Sequence, residues 1–210
     1  MVAVFWPPPG QGKGFTLVGT GSVRVIGGIA KGRRLRIPPG RKVRPTSDRV
    51  KESIFNILIG RLNGITVLDL FAGSGNLGIE ALSRGARQAV FVDRDRQCTR
   101  IITENLSHLG LLSKGEVLLS DCLAAVAQLE ESPQRFSLIF SDPPYEEGWI
   151  QRSLVALADS DLLEDGGWIV AEHSRRESVP DRYGGFRLED QRIYGETMIS
   201  FYMHEELIFS

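Results

Sequence analysis

The 210-residue sequence predicts an α/β fold: a mostly parallel seven-stranded sheet with helices on both faces, preceded by a basic β-hairpin. Three observations predict it. From Thr66 onward, short apolar runs alternate with stretches of helical periodicity, the pattern of strand–helix–strand units. The first of those runs empties into Gly73, Gly75 and Gly78, as a strand does where it turns tightly into a helix. The last two runs, Phe186–Tyr194 and Met198–Met203, meet at Gly195-Glu196 with no room for a helix between them, so they close the sheet as an antiparallel pair.

Each element follows from local chemistry. Residues 1–21 are rich in Pro and Gly and lack a charged segment followed by a long apolar core, so they read as a flexible extension rather than a signal peptide. Residues 22–210 are expected to form a single domain, with the basic hairpin at 22–43 and the α/β core at 44–210. Val23–Ile26 and Arg34–Ile37 are the hairpin strands, with Gly27-Gly28 and Lys31-Gly32 between them and Pro38-Pro39-Gly40 ending the second. Thr46 or Ser47 caps a helix running to about Ile59, with Val50, Ile54, Ile57 and Leu58 on its buried side. Thr66–Phe71, Ala89–Asp93 and Glu116–Ser120 are strands. The helices between and after them start near Ile79, Asp95 and Leu123. Phe136–Ser141 is a buried strand halted by Pro143 and Pro144, which cannot continue it. A helix near Trp149–Ala158 and a strand at Gly167–Glu172 complete the core.

Composition fits one globular domain: 42% of residues are hydrophobic and 24% charged. The net charge of −1 hides an asymmetry. Arg24, Lys31, Arg33, Arg34, Arg36, Arg41, Lys42, Arg44, Arg49 and Lys51 are opposed only by Asp48 in that stretch, so the remainder is acidic. A basic arm on an acidic body is the footprint of nucleic-acid contact, the alternative being a solvated charged face. Cys98 and Cys122 have neither zinc spacing nor a disulfide framework, and their small number suits a reducing cytosol. No apolar stretch is long enough to span a membrane. A cytoplasmic monomer is the expectation. His108, His173 and His204 lack ligand spacing, His173 reads as structural, and Trp149 and Trp168 read as packing.

The chemistry concentrates at predicted strand ends. Asp142-Pro143-Pro144-Tyr145 places an acid, a rigid carbonyl and an aromatic ring together. Asp142 and the Pro143 carbonyl can accept the two hydrogens of an amino group on a planar ring, and Tyr145 can stack on that ring. Gly73-x-Gly75-x-x-Gly78 matches a dinucleotide fingerprint and by itself does not separate NAD from another adenosine ligand. Asp69, just ahead of the glycines, leans away from NAD, because a carboxylate there suits a positively charged ligand end and not a pyrophosphate. Asp93 ends the second strand, about 20 residues after the glycines, where an acid can take both ribose hydroxyls. Asp121 is equally an N-cap and a partner for an adenine amino group, and the Cys122 N–H could donate to the ring. Thr46, Arg49, Glu52 and Asn56 lie at helical spacings and could share one face near ligand or nucleic acid.

Together Asp69-Leu-Phe-Ala-Gly-Ser-Gly, Asp93, Asp121 and Asp142-Pro-Pro-Tyr resemble the class I S-adenosylmethionine-dependent methyltransferases that act on amino groups. The segments Arg24-Val-Ile-Gly-Gly-Ile-Ala-Lys-Gly-Arg-Arg-Leu and Arg44-Pro-Thr-Ser-Asp-Arg-Val-Lys-Glu-Ser-Ile-Phe-Asn narrow the resemblance to the bacterial 16S rRNA (guanine(966)-N2)-methyltransferase family, over roughly residues 22 to 205. The resemblance implies a Rossmann-like fold, S-adenosylmethionine as methyl donor, no metal, and one guanine N2 of 16S ribosomal RNA in the small subunit or its assembly intermediate as acceptor. It places Asp69, Gly73, Gly75, Asp93 and Asp121 on the cofactor and Asp142, Pro143 and Tyr145 on the acceptor. Arg24, Lys31, Arg33, Arg34, Arg36 and Arg44 are the expected RNA contacts. The competing readings are a DNA adenine or cytosine amino-methyltransferase, for which the chain has no spare recognition segment, and a protein glutamine methyltransferase, against which the basic arm argues. An NAD-dependent oxidoreductase and a non-catalytic RNA-binding module are the readings from other classes.

Overall fold

The computed structural model describes residues 23–38 and 47–204; the predicted extension at 1–21, Thr46 and Arg44 lie outside them. Five strands run parallel at the heart of one eight-stranded sheet: β1 (Thr66–Asp69), β2 (Gln88–Asp93), β3 (Gly115–Leu119), β4 (Phe136–Ser141) and β5 (Leu163–Ser174). β6 (Arg182–Tyr183), β7 (Phe186–Tyr194) and β8 (Thr197–His204) extend it antiparallel, in the order β3-β2-β1-β4-β5-β8-β7-β6.

Helices cover both faces. On one lie α1 (Asp48–Ile57), α2 (Asn76–Ser83) and α3 (Arg96–His108); on the other lie α4 (Cys122–Glu130) and α5 (Trp149–Ala158). The strands read apolar throughout because neighbouring residues point to opposite faces and both faces are buried. Val67 and Phe140 join the core under α1–α3, whereas Leu68 and Ile139 join the core under α4 and α5. Gly78 sets how closely α2 lies on the sheet: a Cβ there would stand 2.3 Å from Phe91 Cε1. Ser47 caps α1 by accepting from Val50 N–H at 3.3 Å, and Asp95 caps α3 by accepting from Gln97 N–H at 2.8 Å.

Four expectations need adjustment. The sheet has eight strands and not seven, because Tyr183 pairs with Phe186 across the Gly184-Gly185 turn. β5 begins at Leu163 and not Gly167: Phe136 pairs with Leu163, then the register shifts, leaving Glu164–Gly167 as a polar irregularity that hides the strand's start. The N-terminal segment folds back antiparallel but forms a single bridge, Arg24 to Arg34, around a 3-10 turn at Gly28–Ala30. Val23, Val25, Ala30 and Leu35 of this arm are buried in the same core as α1 and α2. Finally, α1 turns Lys51 inward, fully buried, so this cation does not belong to the basic surface.

Candidate active site at the carboxyl ends of the parallel strands

Every central strand delivers a carboxylate to the same edge of the sheet. Asp69 ends β1, Asp93 ends β2, Asp121 follows β3, Asp142 follows β4, and Glu172 lies near the end of β5. All five line one cavity of about 620 Å³, together with Phe71, Gly73, Cys122, Pro143, Tyr145 and Trp149. The sheet order reverses between β1 and β4. In open α/β sheets that switch point opens a crevice beyond the strand ends, which is where ligands bind.

The glycine loop is held by the acids it adjoins. Asp69 accepts from Gly78 N–H at 3.0 Å, and Asp93 accepts from Gly73 N–H at 2.9 Å and Asp95 N–H at 2.8 Å. Burial pushes the Asp69 carboxyl up to about 7, against the Gly78 N–H bond and with help from the Asp93 charge. Gly75 lies outside the cavity lining and N-caps α2 in a left-handed conformation, φ 80°. Asn76 follows it, lines the cavity, and carries a buried Nδ2 with no hydrogen-bond partner among the described residues.

Beyond β3, Asp121 caps α4, accepting from the Leu123 and Ala124 N–H groups, both on Oδ1 at 3.1 Å. Of the two roles the sequence left open it fills the cap, and it also faces the cavity. Burial, then the Asp121 charge, pushes the Cys122 thiol up to about 12, so it stands as a neutral thiol and not a nucleophile.

On the β4 side, Tyr145 is half-buried. Its Oη donates to Glu172 Oε1 at 2.8 Å and lies 3.0 Å from Thr197 Oγ1. Burial, then the negative charge of Glu172, drives its phenol far above the ordinary range, so it stays a neutral donor with a fixed ring. Immediately after it, Glu146 takes φ 59°, the single non-glycine with positive φ among the described residues. Such backbone is held where surrounding structure enforces it, and it commonly marks functional loops.

The structure also brings in residues that sequence reasoning did not assign to the site. Glu172 was read only as the end of a strand; an acid closing an apolar run is the same signal that singled out Asp93. Trp149, read as packing, lines the cavity and meets the Phe71 ring edge-on, centroids 6.4 Å apart. Ile37 and Pro38 make the arm a wall of the cavity, which nothing in the sequence indicated. Trp168 and His173 are structural as expected: Trp168 packs on Phe201, and buried His173 bonds to Ser174 O and Ser200 Oγ.

The basic arm is only partly unpaired. Arg24 meets Asp48 and Arg36 meets Glu104, each at 2.8 Å, and Arg33 Nη2 lies within 3.2 Å of His108 Nε2 and donates to its carbonyl at 3.0 Å. These are exposed contacts of small energetic worth that phosphates can replace. Lys31 and Arg34 are exposed, with no ion pair among the described residues. Arg49, Glu52 and Asn56 do share a face, but it borders a separate cleft with Arg192 and Tyr194 and not the main cavity. No helix among the described residues is long and apolar enough to cross a membrane.

Comparison with known proteins agrees with this architecture. The family model described as "Conserved hypothetical protein 95" matches residues 23–203. The chain is 41% identical over 180 residues to "Putative rRNA methyltransferase YlbH" of Bacillus subtilis, covering 86% of this chain and 98% of that protein. It is 33% identical over 187 residues to "Ribosomal RNA small subunit methyltransferase D" of Escherichia coli, covering 89% and 92%. Among solved structures, "Putative methyltransferase yhhF from Escherichia coli" superposes with a TM-score of 0.77 at 33% identity, covering 88% of this chain and 99% of that one.

Proposed function

The chain belongs to the conserved hypothetical protein 95 family, and from that premise we propose that it is an S-adenosylmethionine-dependent methyltransferase of ribosomal RNA, acting on the exocyclic N2 of a guanine in the small ribosomal subunit or its assembly intermediate. One observation carries the reading: carboxylates from five adjacent strands line a single cavity, divided at the switch point into a glycine-loop half and an Asp-Pro-Pro-Tyr half. The first half suits an adenosine cofactor and the second an amino group on a planar ring. The names of the Bacillus and Escherichia relatives support ribosomal RNA as the acceptor.

The residues present fit the cofactor. The cavity volume, about 620 Å³, lies within the usual range for small-molecule sites. A Cβ built on Gly73 meets no atom of the described residues within 4 Å, so a side chain there would occupy space beside the loop that glycine leaves open. The unpartnered Asn76 Nδ2 borders the same space and suits a carboxylate. Asp69 would hold the ammonium end, Asp93 the ribose hydroxyls, and Asp121 with the Cys122 N–H the adenine. Bound there, S-adenosylmethionine supplies a methyl group already activated by its sulfonium.

The chain's own work is then chiefly alignment. Asp142 and the Pro143 carbonyl accept the two amine hydrogens, which draws the nitrogen lone pair out of the ring π-system and stabilises the positive charge that develops on transfer. Tyr145, anchored through Glu172 and Thr197, offers its ring for stacking. Base–aromatic stacking is worth about 1–3 kcal/mol and offsets part of the cost of unstacking the target base. The released proton passes to Asp142 or to water. Lys31, Arg33 and Arg34 track phosphates, while the shape of the RNA and contacts to the flipped base select the site.

The test is incubation with labelled S-adenosylmethionine and small subunits from cells lacking the endogenous modification. Label mapping to one guanine N2 supports the whole reading. Label on another amino group overturns the nucleotide assignment alone. Binding of S-adenosylhomocysteine with no labelled RNA, naked or assembled, would overturn the acceptor class.

A further inference from the structure

We infer that Asn105 is a positioning residue that ties the basic arm to the glycine loop, so that cofactor and RNA bind cooperatively. Asn105 sits within α3 with 1% of its surface exposed. Its amide makes three hydrogen bonds to two separate segments. Oδ1 accepts from Arg36 N–H at 2.8 Å, Nδ2 donates to Arg36 O at 3.0 Å, and the other Nδ2 hydrogen goes to Ser74 O at 2.9 Å. The orientation of the amide follows from its partners, since flipping it would set Nδ2 against an N–H and Oδ1 against two carbonyls.

The two segments form different walls of the same cavity. Ser74 belongs to the glycine loop, and Arg36 is followed directly by Ile37 and Pro38, which line the cavity from the arm. The Arg36 side chain meanwhile turns outward to Glu104, into the basic surface. One buried amide thus joins a residue at the RNA face to the cofactor loop. A second bridge runs parallel to it: Lys51 Nζ donates to Arg24 O at 2.5 Å and to Asn76 Oδ1 at 2.8 Å, while Ile26 N–H donates to Glu80 at 2.8 Å. Both halves of the arm are therefore fastened to the loop or to the helix that follows it.

A ligand that orders the loop at Ser74 and Asn76 lowers the cost of holding the arm in place, and RNA that holds the arm does the same for the loop. The coupling is reciprocal, so each ligand raises the affinity of the other by the same factor. The inference rests on the proposed cofactor and RNA reading.

The full chain is titrated with S-adenosylhomocysteine in the absence and presence of a saturating rRNA fragment, and with the fragment in the absence and presence of S-adenosylhomocysteine. The expected factor is about fivefold or more, equal in both directions, falling to near one in Asn105→Ala. Failure of either ligand to bind alone counts against the proposed function and not the coupling. Two binding ligands with a factor of one in the wild type, or an unchanged factor in Asn105→Ala, overturns the coupling. Should the variant fail to fold, hydrogen exchange at the Arg36 amide of the wild type decides: slowing by S-adenosylhomocysteine is expected, and an unchanged rate refutes it.

Discussion

Tyr145 and Glu172 meet across the gap between the β4 loop and β5, the phenol donating to the carboxylate at 2.8 Å. The contact separates two things a tyrosine can offer an acceptor base. The ring would provide the stacking surface, while the hydroxyl fixes the ring's direction. Tyr145→Phe keeps the first and loses the second, and it leaves Glu172 short of one donor. Methyl transfer to RNA is expected to fall by about tenfold or less in Tyr145→Phe, and by up to about 150-fold in Tyr145→Ala, the range that stacking energies imply. Single-turnover rates of both variants check this. A phenylalanine variant as impaired as the alanine one would mean that the hydroxyl, and not the ring, carries the role.

Asp142 is expected to serve the acceptor and not the cofactor, because it follows β4 while the glycine loop follows β1, on the other side of the switch point. Asp142→Ala should reduce the rate of transfer by roughly 10²–10³, the usual consequence of losing one hydrogen-bond partner of a developing charge. S-adenosylhomocysteine affinity, measured by calorimetry, should stay within a few-fold. Equal loss of both would place Asp142 on the cofactor.

Lys51 and Glu80 pair in the interior with neither side chain exposed, Nζ to Oε2 at 3.4 Å. Burial pulls the Lys51 amine below its ordinary value, and the Glu80 charge opposes that shift. Lys51→Met leaves Glu80 with Arg84 as its remaining cation, at 2.7 Å. Breaking one side of a buried pair costs about 3–5 kcal/mol. The retained Arg84 keeps that loss towards the low end. The double change Lys51→Met with Glu80→Gln keeps an acceptor for the Ile26 N–H but takes the carboxylate from Arg84 and turns an amide NH2 towards its Nε, so its loss should be the larger of the two. Urea midpoints of the wild type, the single variant and the double variant give the comparison. A double variant more stable than the single one would contradict the pairing argument.

Lys51 also shows where sequence reasoning stops. Buried strands, the glycine turn and the Asp-Pro-Pro stop were legible because each rests on local chemistry: apolar runs, backbone freedom, a missing N–H. The ends of β4 and α5 follow directly from such signals. Asp93, Asp121 and Asp142 were legible for the same reason, since an acid at the end of an apolar run is conspicuous, and Asp69 because it stands just ahead of the glycines. A lysine four residues after Ser47 carries no mark that its partner lies at position 80, nor does Asn105 reveal that it reaches both Arg36 and Ser74. These are long-range pairings that only the packed chain defines. The start of β5 ahead of Gly167 stayed hidden because the irregularity there is polar, and the two-residue β6 is too short to carry any period. Glu172 was within reach, because it repeats the signal that gave Asp93.

Asp69 should make both stability and cofactor affinity depend on pH. Its carboxyl lies at about 7 in the folded protein, against an ordinary value of 3.8, chiefly through burial. Between these values the folded state holds a proton that the unfolded state has released. Its contribution to stability is therefore full below about pH 4 and is lost as pH rises through about 7. Asp69→Asn lacks this dependence, so the wild type should lose stability relative to the variant as pH rises across that window. A positively charged ligand end favours the ionised carboxylate, so the affinity of the wild type for S-adenosylhomocysteine should move the opposite way. From pH 6 to 8 the ionised fraction of a group titrating near 7 rises by about tenfold, which sets the upper limit of the gain in affinity. Calorimetric titrations at pH 6, 7 and 8, alongside urea midpoints at the same values, read both effects. Affinity that is flat with pH in the wild type, or that rises equally in Asp69→Asn, would remove Asp69 from the ammonium end of the cofactor.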